Sequence, residues 1–239
     1  MRYEKAWKQH YGFDRDPVRR FCIFPTLKSL SLPIRNSRIL DAGCGNGGLL
    51  TFLKRYDFLS YVGFDRSESF LLEARKLLSS RVRFESGDLL NELPFKGEAF
   101  DLIFSVFVLN ELSIIDEVIA EFERVLRPNG KVILVLTHPA FVLYHQLTEK
   151  FTGQKSRKLL GRKSYFAKQR LRYVFTLAGV GTGFYQHTFE EVVTAATGAR
   201  LRITDLCELR TNAPQFRNMP AYWDTRDIPK YLIIALSKA

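Results

Sequence analysis

The sequence has few cysteines and no long apolar run, and both absences exclude whole classes of protein. Its three cysteines, Cys22, Cys44 and Cys207, are odd in number and widely scattered over 239 residues, which argues against a disulfide framework or a zinc cluster. No stretch approaches the roughly 18 consecutive apolar residues that a membrane-spanning helix needs. The first residues lack the apolar core of a secretory signal. We therefore expect a reduced, cytoplasmic protein without a membrane span and without a metal site.

Internal repeats and low-complexity tracts are also lacking. The composition is 46% apolar and 26% charged, with 15 glycines and 9 prolines. These fractions are typical of an ordinary soluble globular protein and exclude a disordered or collagen-like chain. At this length, one α/β domain is the simplest organisation.

Acidic residues are missing from one segment, residues 150–172, which contains nine lysines and arginines. The whole chain has 36 basic and 25 acidic residues, so without these nine the balance would be 27 to 25. A clustered basic stretch attracts anions. Three interpretations stay open: a solvated amphipathic insertion, a site for a small anion, or a nucleic-acid surface whose interleaved aromatic residues stack on bases.

Strand and helix patterns alternate through the first half of the chain. Strands are predicted at residues 37–41, 60–64, 81–85, 100–108 and 131–136. Helices are predicted between them, at 49–54, after Ser67 and at 116–126, with a turn at 127–130. This alternation predicts a doubly wound, mostly parallel sheet with right-handed crossovers.

The alternation stops after the fifth strand. Thr188 and Glu191 form a capping box for a helix that ends near Gly198. Strands at 201–206 and 231–236 follow without a helix between them, which indicates an antiparallel pair that completes a seven-stranded sheet. Residues 138–187 are too many for an ordinary loop and suggest a helical lid.

We therefore expect a single domain, residues 1–239, built from four consecutive parts. Residues 1–36 form an N-terminal helical cap and residues 37–137 the core that binds a cofactor. Residues 138–187 form the lid over a substrate, and residues 188–239 provide the last helix and the antiparallel strands.

A glycine-rich turn joins the first strand to the first helix of the core. Gly43, Gly45 and Gly48 have the G-x-G-x-x-G spacing, and Asp65 follows about twenty residues later, where it can accept from ribose hydroxyls. Nicotinamide or flavin nucleotides and S-adenosylmethionine both suit such a turn. Asp41 discriminates, because a carboxylate two residues before the first glycine repels a pyrophosphate but favours the α-ammonium group of a methionine moiety.

Several motifs together resemble those of class I S-adenosylmethionine-dependent methyltransferases. They are residues 39–47 (ILDAGCGNG), 62–65 (VGFD), 86–89 (SGDL), 100–103 (FDLI) and 126–131 (LRPNGK). The resemblance covers about residues 37–136 and the final strand pair. It implies a Rossmann-like fold, S-adenosylmethionine as cofactor and S-adenosylhomocysteine as product.

The resemblance also implies a role for individual residues in holding the cofactor. Gly43 and Gly45 would line the methionine part, with Asp41 near its amino group. Asp65 would take the ribose hydroxyls, and Asp88 would accept from the adenine amino group. The full set of implied cofactor contacts is Asp41, Gly43, Cys44, Gly45, Asp65, Arg66, Asp88, Leu89 and Val106.

Three residues near the predicted ends of strands four and five are candidates for a general base. Methyl transfer from a sulfonium requires a base only where the acceptor must lose a proton. His138 follows strand five, His187 ends the predicted lid, and Glu111 follows strand four. Many members of the family that this chain resembles carry a histidine near the position of Glu111, so the pair Asn110–Glu111 departs from their pattern.

The leading hypothesis is methyl transfer from S-adenosylmethionine to a small, anionic or aromatic molecule. One alternative keeps the cofactor and makes tRNA or rRNA the acceptor, held by the basic residues 150–172. A second alternative is a non-catalytic binding subunit that retains the fold. A nicotinamide-dependent oxidoreductase is a third, against which Asp41 argues. The sequence does not indicate an oligomeric state.

Overall fold

A computed structural model describes residues 18–30, 32–141, 170–174, 181–209 and 227–238, and its main feature is one seven-stranded sheet. The strands of this sheet are β1 (Arg38–Ala42), β2 (Ser60–Asp65), β3 (Val82–Ser86), β4 (Phe100–Val106), β5 (Leu126–Thr137), β8 (Leu201–Leu209) and β9 (Tyr231–Lys238). Their order across the sheet is β3-β2-β1-β4-β5-β9-β8. The predicted seven-stranded α/β fold is therefore confirmed.

Strands β1 to β5 run parallel to one another, and the last strand runs against them. Strand β9 lies between β5 and β8 and is antiparallel to both, with Tyr231 opposite Thr137 on one side and Leu209 on the other. Residues 232–237 of β9 are all buried, because the sheet extends on both sides of the strand. Strand β8 forms the sheet edge, and its side chains are mostly exposed or half-buried.

Helices cover both faces of the sheet. They are α1 (Phe24–Ser29), which continues a π-helical turn at Arg19–Ile23, α2 (Gly48–Leu53), α3 (Glu68–Ala74), α4 (Asp116–Val125) and α5 (Phe189–Gly198). Two buried apolar clusters result. One contains residues of α4 and α5, and the other contains residues of α1, α2 and α3. None of the helices in the described part of the chain is long and apolar enough to cross a bilayer.

The predicted helix starts are present. The Ser67 hydroxyl accepts from the backbone N–H of Phe70 at the start of α3. Thr188 and Glu191 form the predicted capping box at the start of α5, in which each side chain accepts from the other residue's backbone N–H.

The fifth strand starts earlier than its sequence pattern indicates. A turn at residues 127–130 was expected before a strand at 131–136, but β5 begins at Leu126, directly after α4. Leu126 pairs with Phe100, and Lys131 pairs with Leu102, so the residues between them form a bulge in a continuous strand. Asn129 adopts a φ of +62° within this bulge. The turn-forming residues are thus accommodated within the ladder to β4.

A helical lid was expected after β5, and the described part of this insertion contains two strands as well as the helical residues 139–141. Strands β6 (Arg170–Val174) and β7 (Gly181–Tyr185) form a separate two-stranded antiparallel sheet. Residues 142–169 and 175–180 of this insertion, including the basic residues from Lys150 to Lys168, lie outside the described residues. Residues 1–17 of the predicted N-terminal cap also lie outside them.

The strand order creates a crevice between β1 and β4. The chain leaves β1 toward β2 and β3 and then returns to β4 on the other side of β1. At such a switch point, the loops after the two central strands diverge and leave a space at the carboxyl ends of the strands, where α/β proteins bind ligands. We call this space the switch-point crevice.

Candidate functional site

The glycine-rich turn after β1 is anchored to the end of β2. The backbone N–H groups of Gly43 and Cys44 both donate to the carbonyl oxygen of Phe64, at 2.7 and 3.1 Å. The N–H of Gly45 donates to Oδ2 of Asp65 at 2.8 Å. These bonds fix the path of the turn along the edge of the switch-point crevice.

Two glycines of the turn need their lack of a side chain for different reasons. Gly43 has a φ of +81°, and a Cβ at this position would lie 2.3 Å from Cγ2 of Val108. Gly45 has a φ of +52°, yet no atom of the described residues lies within 4 Å of the place where its Cβ would be. Gly43 therefore permits close packing against the segment after β4, whereas Gly45 leaves open space that a ligand can fill.

Asp65, the last residue of β2, uses both carboxylate oxygens to shape the site. Oδ2 accepts from Gly45, and Oδ1 accepts from the N–H of Ser67 at 2.8 Å. The residue is half-buried at the crevice, so its chemistry fits the binding of vicinal hydroxyl groups.

Asp41 lies at the end of β1 with only 1% of its surface exposed. Its Oδ2 accepts a hydrogen bond of 2.5 Å from the hydroxyl of Tyr61. Burial raises the pKa of Asp41 to about 7, and the charge of Asp65 acts in the same direction, whereas the Tyr61 hydrogen bond and the charge of Arg19 lower it. Such a carboxyl group accepts a cation most readily in its ionised form.

The partnership between Asp41 and Tyr61 was not predicted. From the sequence, Tyr61 was predicted only to be a strand residue of the core. Asp41 stands opposite Gly63 in the β1–β2 register, and Tyr61 precedes Gly63 by two positions on the same strand face. A tyrosine two residues from a glycine, diagonal to a buried aspartate, is the signal that points to the pair.

The residues expected around the adenine and ribose lie along the ends of β2, β3 and β4. Asp88 is half-buried and its Oδ1 accepts from the N–H of Leu90 at 3.1 Å. Leu89 and Val106 are buried, whereas Arg66 is exposed. Burial also raises the pKa of the Cys44 thiol well above its usual range, so the thiol stays protonated.

On the other side of the crevice, Asn110 joins three segments. It lies in the 3₁₀ turn Leu109–Glu111 that follows β4. Its Oδ1 accepts from the N–H of Thr137 at 3.1 Å, and its Nδ2 donates to the carbonyl oxygen of Tyr185 at 3.3 Å. Asn110, at the departure from the family pattern, thus has a structural role, because it joins the turn after β4 to the end of β5 and to Tyr185.

His187 is buried and braces the same turn. Its Nε2 lies 3.0 Å from the carbonyl oxygen of Leu109 and 2.9 Å from that of Leu112. Carbonyl oxygens only accept hydrogen bonds, so Nε2 carries the proton and donates to both. The role of His187 as a general base stays a prediction, and its Nε2 is already used for support.

His138 is held from two sides at the end of β5. Its Nδ1 accepts from the N–H of Ala140 at 3.1 Å, and its Nε2 lies 2.9 Å from Oε1 of Glu208. A nitrogen that accepts carries no proton, so Nε2 carries it and donates to the carboxylate. Glu208, on the edge strand β8, was not identified from the sequence because 70 residues separate it from His138.

A buried lysine next to His138 was likewise not identified from the sequence. Lys230 is 2% exposed, and its carbonyl oxygen accepts from the N–H of His138. Its Nζ lies 5.3 Å from the ring centroid of Phe141. Burial lowers the pKa of Lys230 to about 8, an effect that the charges of Cys22 and Asp227 oppose. The end of β5 therefore combines a histidine that is hydrogen-bonded to a carboxylate with a buried lysine.

The described residues also form a cavity away from the switch-point crevice. A cavity of about 520 Å³ lies at the amino ends of β2 and β3, lined by Lys54, Arg55 and the ion pair of Arg81 with Asp57. It is at the opposite edge of the sheet from the switch-point crevice. Among the residues that the structure describes, no group of three or more His, Cys, Asp or Glu side chains could hold a metal ion.

Comparison with known proteins connects this geometry to a family. Residues 40–134 match a family described as a methyltransferase domain. The chain is 25% identical over 223 residues to an uncharacterized protein of Haemophilus influenzae, and 30% identical over 139 residues to an uncharacterized chloroplastic methyltransferase of Arabidopsis thaliana. It is 29% identical over 146 residues to the fatty-acid O-methyltransferase of Mycolicibacterium smegmatis.

These matches cover different shares of the proteins. The alignment with the Haemophilus protein covers 90% of this chain and 86% of that protein. The Arabidopsis match covers 54% of this chain and 38% of the relative, and the Mycolicibacterium match covers 55% and 53%. A crystal structure of an S-adenosylmethionine-dependent methyltransferase from Mesorhizobium loti superposes with a TM-score of 0.73 at 19% identity, covering 95% of this chain and all of that one. The two chains share a fold.

Proposed function

We propose that the chain is a class I, Rossmann-like methyltransferase that uses S-adenosylmethionine to methylate a small organic acceptor, and the match of residues 40–134 to a methyltransferase domain supports this. One arrangement carries this proposal. The turn at Gly45 is open toward the switch-point crevice, and Asp65 holds it there beside the buried carboxyl group of Asp41. This places two carboxyl groups of different environment along one open glycine turn.

Each part of the cofactor has a suitable partner among these residues. Asp41 would bind the ammonium group of the methionine moiety, next to Gly43 and Gly45. Asp65 would accept from the ribose hydroxyls, and Asp88 from the adenine amino group. S-adenosylmethionine supplies a methyl group on a positively charged sulfur, so the chain itself has to position an acceptor, exclude water and, for some acceptors, remove a proton.

The same arrangement disfavours a nicotinamide dinucleotide. Its pyrophosphate would lie against the glycine turn, where the ionised carboxylate of Asp41 repels an anion. An ammonium group at this place is attracted instead, because its positive charge stabilises the ionised form of Asp41 and is stabilised by it. We therefore prefer the sulfonium cofactor over the dinucleotide on electrostatic grounds.

The acceptor would enter from the side of β4 and β5. A small organic acceptor is supported by the fatty-acid O-methyltransferase among the relatives. The candidate bases His138, His187 and Glu111 all follow these two strands or contact the turn after β4. Nε2 donates in both histidines, and Nδ1 of His138 also accepts from the N–H of Ala140. Hydrogen bonding therefore does not favour His138 over His187, and both stay candidates for a base beside Glu111.

Calorimetric titration with S-adenosylhomocysteine tests the cofactor assignment. We expect binding that Asp65→Ala weakens more than tenfold, because the variant loses both the hydroxyl acceptor and the anchor of the Gly45 turn. Asp57→Ala is the matched control, since Asp57 pairs with Arg81 at the opposite sheet edge. Binding of NADH with no binding of S-adenosylhomocysteine would contradict the proposal.

A second acceptor class, RNA, is favoured by one observation, the nine basic residues between positions 150 and 172. Contacts to phosphates release counterions, so methylation of RNA would fall steeply as salt is added. Methylation of a small acceptor would be less sensitive to salt under the same conditions. Binding of S-adenosylhomocysteine without turnover on either class of acceptor would instead indicate a non-catalytic subunit.

A further inference from the structure

Arg19 is a cation from the N-terminal part of the chain that lies in the switch-point crevice. Its Cδ is 4.0 Å from the place where a Cβ of Gly48 would be, at the start of α2. Its Cζ is 5.5 Å from the ring centroid of Phe107, directly after β4. Arg19 thus spans the two walls of the crevice, and neither the glycine motif nor the other family motifs include it.

The position of Arg19 relative to Asp41 is the second observation. Burial raises the pKa of Asp41 overall, and the positive charge of Arg19 opposes this rise as the smallest of four influences. The side chain is half-buried and so remains within reach of a ligand in the crevice. A carboxylate and a guanidinium therefore stand near each other beside the open glycine turn.

Phe107 supports the same placement. Its φ of +61° is unusual for a residue with a bulky side chain, and its ring also packs edge-on against Tyr231 at 5.4 Å. The N–H of Phe107 donates to the carbonyl oxygen of Val135, which ties this conformation to β5. A side chain held in this way provides a fixed surface on which the guanidinium of Arg19 rests.

We propose that Arg19 binds the α-carboxylate of the methionine moiety of the cofactor. This inference rests on the proposed function. The methionine moiety is a zwitterion, and a site that places Asp41 at its ammonium group needs a cation for its carboxylate. A guanidinium suits a carboxylate particularly well, because two of its N–H groups can donate in parallel. The Asp41–Arg19 combination matches both charges of the zwitterion.

Two other roles for Arg19 make different predictions. As a mere counter-ion of Asp41, it would affect every ligand of the crevice equally, whether or not the ligand has a carboxylate. As a contact of the methyl acceptor, it would leave cofactor binding unchanged and alter only the KM for the acceptor. A pair of ligands that differ only in the carboxylate separates the three roles.

The test compares S-adenosylhomocysteine with its decarboxylated analogue, which keeps the adenosine and the amine. We expect Arg19→Met to weaken binding of S-adenosylhomocysteine about 10- to 100-fold and to change binding of the analogue much less. Arg19→Lys keeps the positive charge but lacks the planar guanidinium, so it should lose less affinity for S-adenosylhomocysteine than Arg19→Met. Arg20→Met is the control, because Arg20 is exposed and rests on Phe21. Thermal unfolding of each variant establishes that it is folded.

Each outcome of this comparison supports or overturns the assignment of Arg19 to the carboxylate. A selective loss for the ligand with the carboxylate supports the assignment. An equal loss for both ligands, or no loss for either, overturns it while leaving the proposed function in place. Failure of the unaltered protein to bind S-adenosylhomocysteine at all would overturn the proposed function first, and the Arg19 assignment with it.

Discussion

The two sides of the switch-point crevice are built from contacts of very different range. On the side of β1 and β2, the bonds from Gly45 to Asp65 and from Tyr61 to Asp41 each join residues 20 positions apart. On the side of β4 and β5, His138 bonds Glu208, Asn110 bonds Tyr185 and His187 bonds Leu109, at separations of 70, 75 and 78 residues. One βαβ unit therefore builds the first side, whereas the second side requires the whole chain.

This difference explains why the first side carries recognisable motifs. A short strand–turn–helix unit leaves few ways to place a glycine or a carboxylate, so its residue types and spacing are informative. Substitutions on the first side should therefore disturb the turn and cofactor binding directly. Substitutions on the second side should first loosen the contacts between distant segments.

The largest expected effect is at Gly43. Gly43→Ala would place a methyl group 2.3 Å from Cγ2 of Val108 in a residue with φ of +81°. Overpacking and the positive φ together should lower the free energy of unfolding by about 2 to 4 kcal/mol. Urea unfolding measures this loss. An unchanged midpoint would mean that the turn and the segment after β4 do not pack as closely as described.

Gly45→Ala is the matched variant for Gly43→Ala. Gly45 also has a positive φ, but no atom of the described residues lies near the place of its Cβ. The free energy of unfolding should therefore fall by only about 1 kcal/mol. The added methyl group occupies part of the space assigned to the cofactor. We expect binding of S-adenosylhomocysteine to fall more than stability does, and unaltered binding would show that the ligand does not approach this turn.

On the second side, His187 provides the next largest effect. His187→Ala removes the donor that serves the carbonyl oxygens of Leu109 and Leu112 in a buried place. Leaving buried acceptors unpaired costs about 1 to 3 kcal/mol of unfolding free energy. His187→Gln offers an N–H at similar reach and should restore much of the stability. If the Gln variant is stable but inactive, His187 acts in proton transfer rather than as a brace.

What the sequence predicts follows the same division. The alternation of strands and helices, the capping box at Thr188 and the turn at Gly43 and Gly45 were predicted, because they depend on periodicity and on backbone rules that act over a few residues. The bulge at 127–130 was not predicted, because pairing of Leu126 with Phe100 outweighs local turn preference. Tyr61, Glu208 and Lys230 were not identified as site residues, because their partners come from other elements through the folded sheet.

A smaller effect concerns the proton of Asp41. In the folded chain this carboxyl keeps its proton up to a pH of about 7, whereas an unfolded one loses it near 3.8. The folded state thus binds more protons between these values, and the contribution of Asp41 to unfolding free energy falls as pH rises through this range. Asp41→Asn should remove this part of the pH dependence in urea unfolding at several pH values.

The hydroxyl of Tyr61 provides a second test of the protonation of Asp41. Tyr61→Phe removes a hydrogen bond that lowers the pKa of Asp41, so the pKa should rise further. Since an ammonium group prefers the ionised carboxylate, binding of S-adenosylhomocysteine should tighten as pH rises through 7. The midpoint of this rise should move to higher pH in the variant. Identical pH profiles for the two proteins would separate Asp41 from cofactor binding.

The smallest effect is expected for the long-range pair of His138 with Glu208. Because 57% of the Glu208 side chain is exposed, Glu208→Gln should change the unfolding free energy by less than about 1 kcal/mol. The carboxylate nevertheless fixes the orientation of the His138 ring, because it accepts a hydrogen bond from Nε2. If His138 takes the proton of the acceptor, Glu208→Gln will lower kcat while the KM for the cofactor stays the same. If kcat does not change, His138 belongs to the structural contacts of β5, and His187 and Glu111 are the remaining candidates on this side of the crevice.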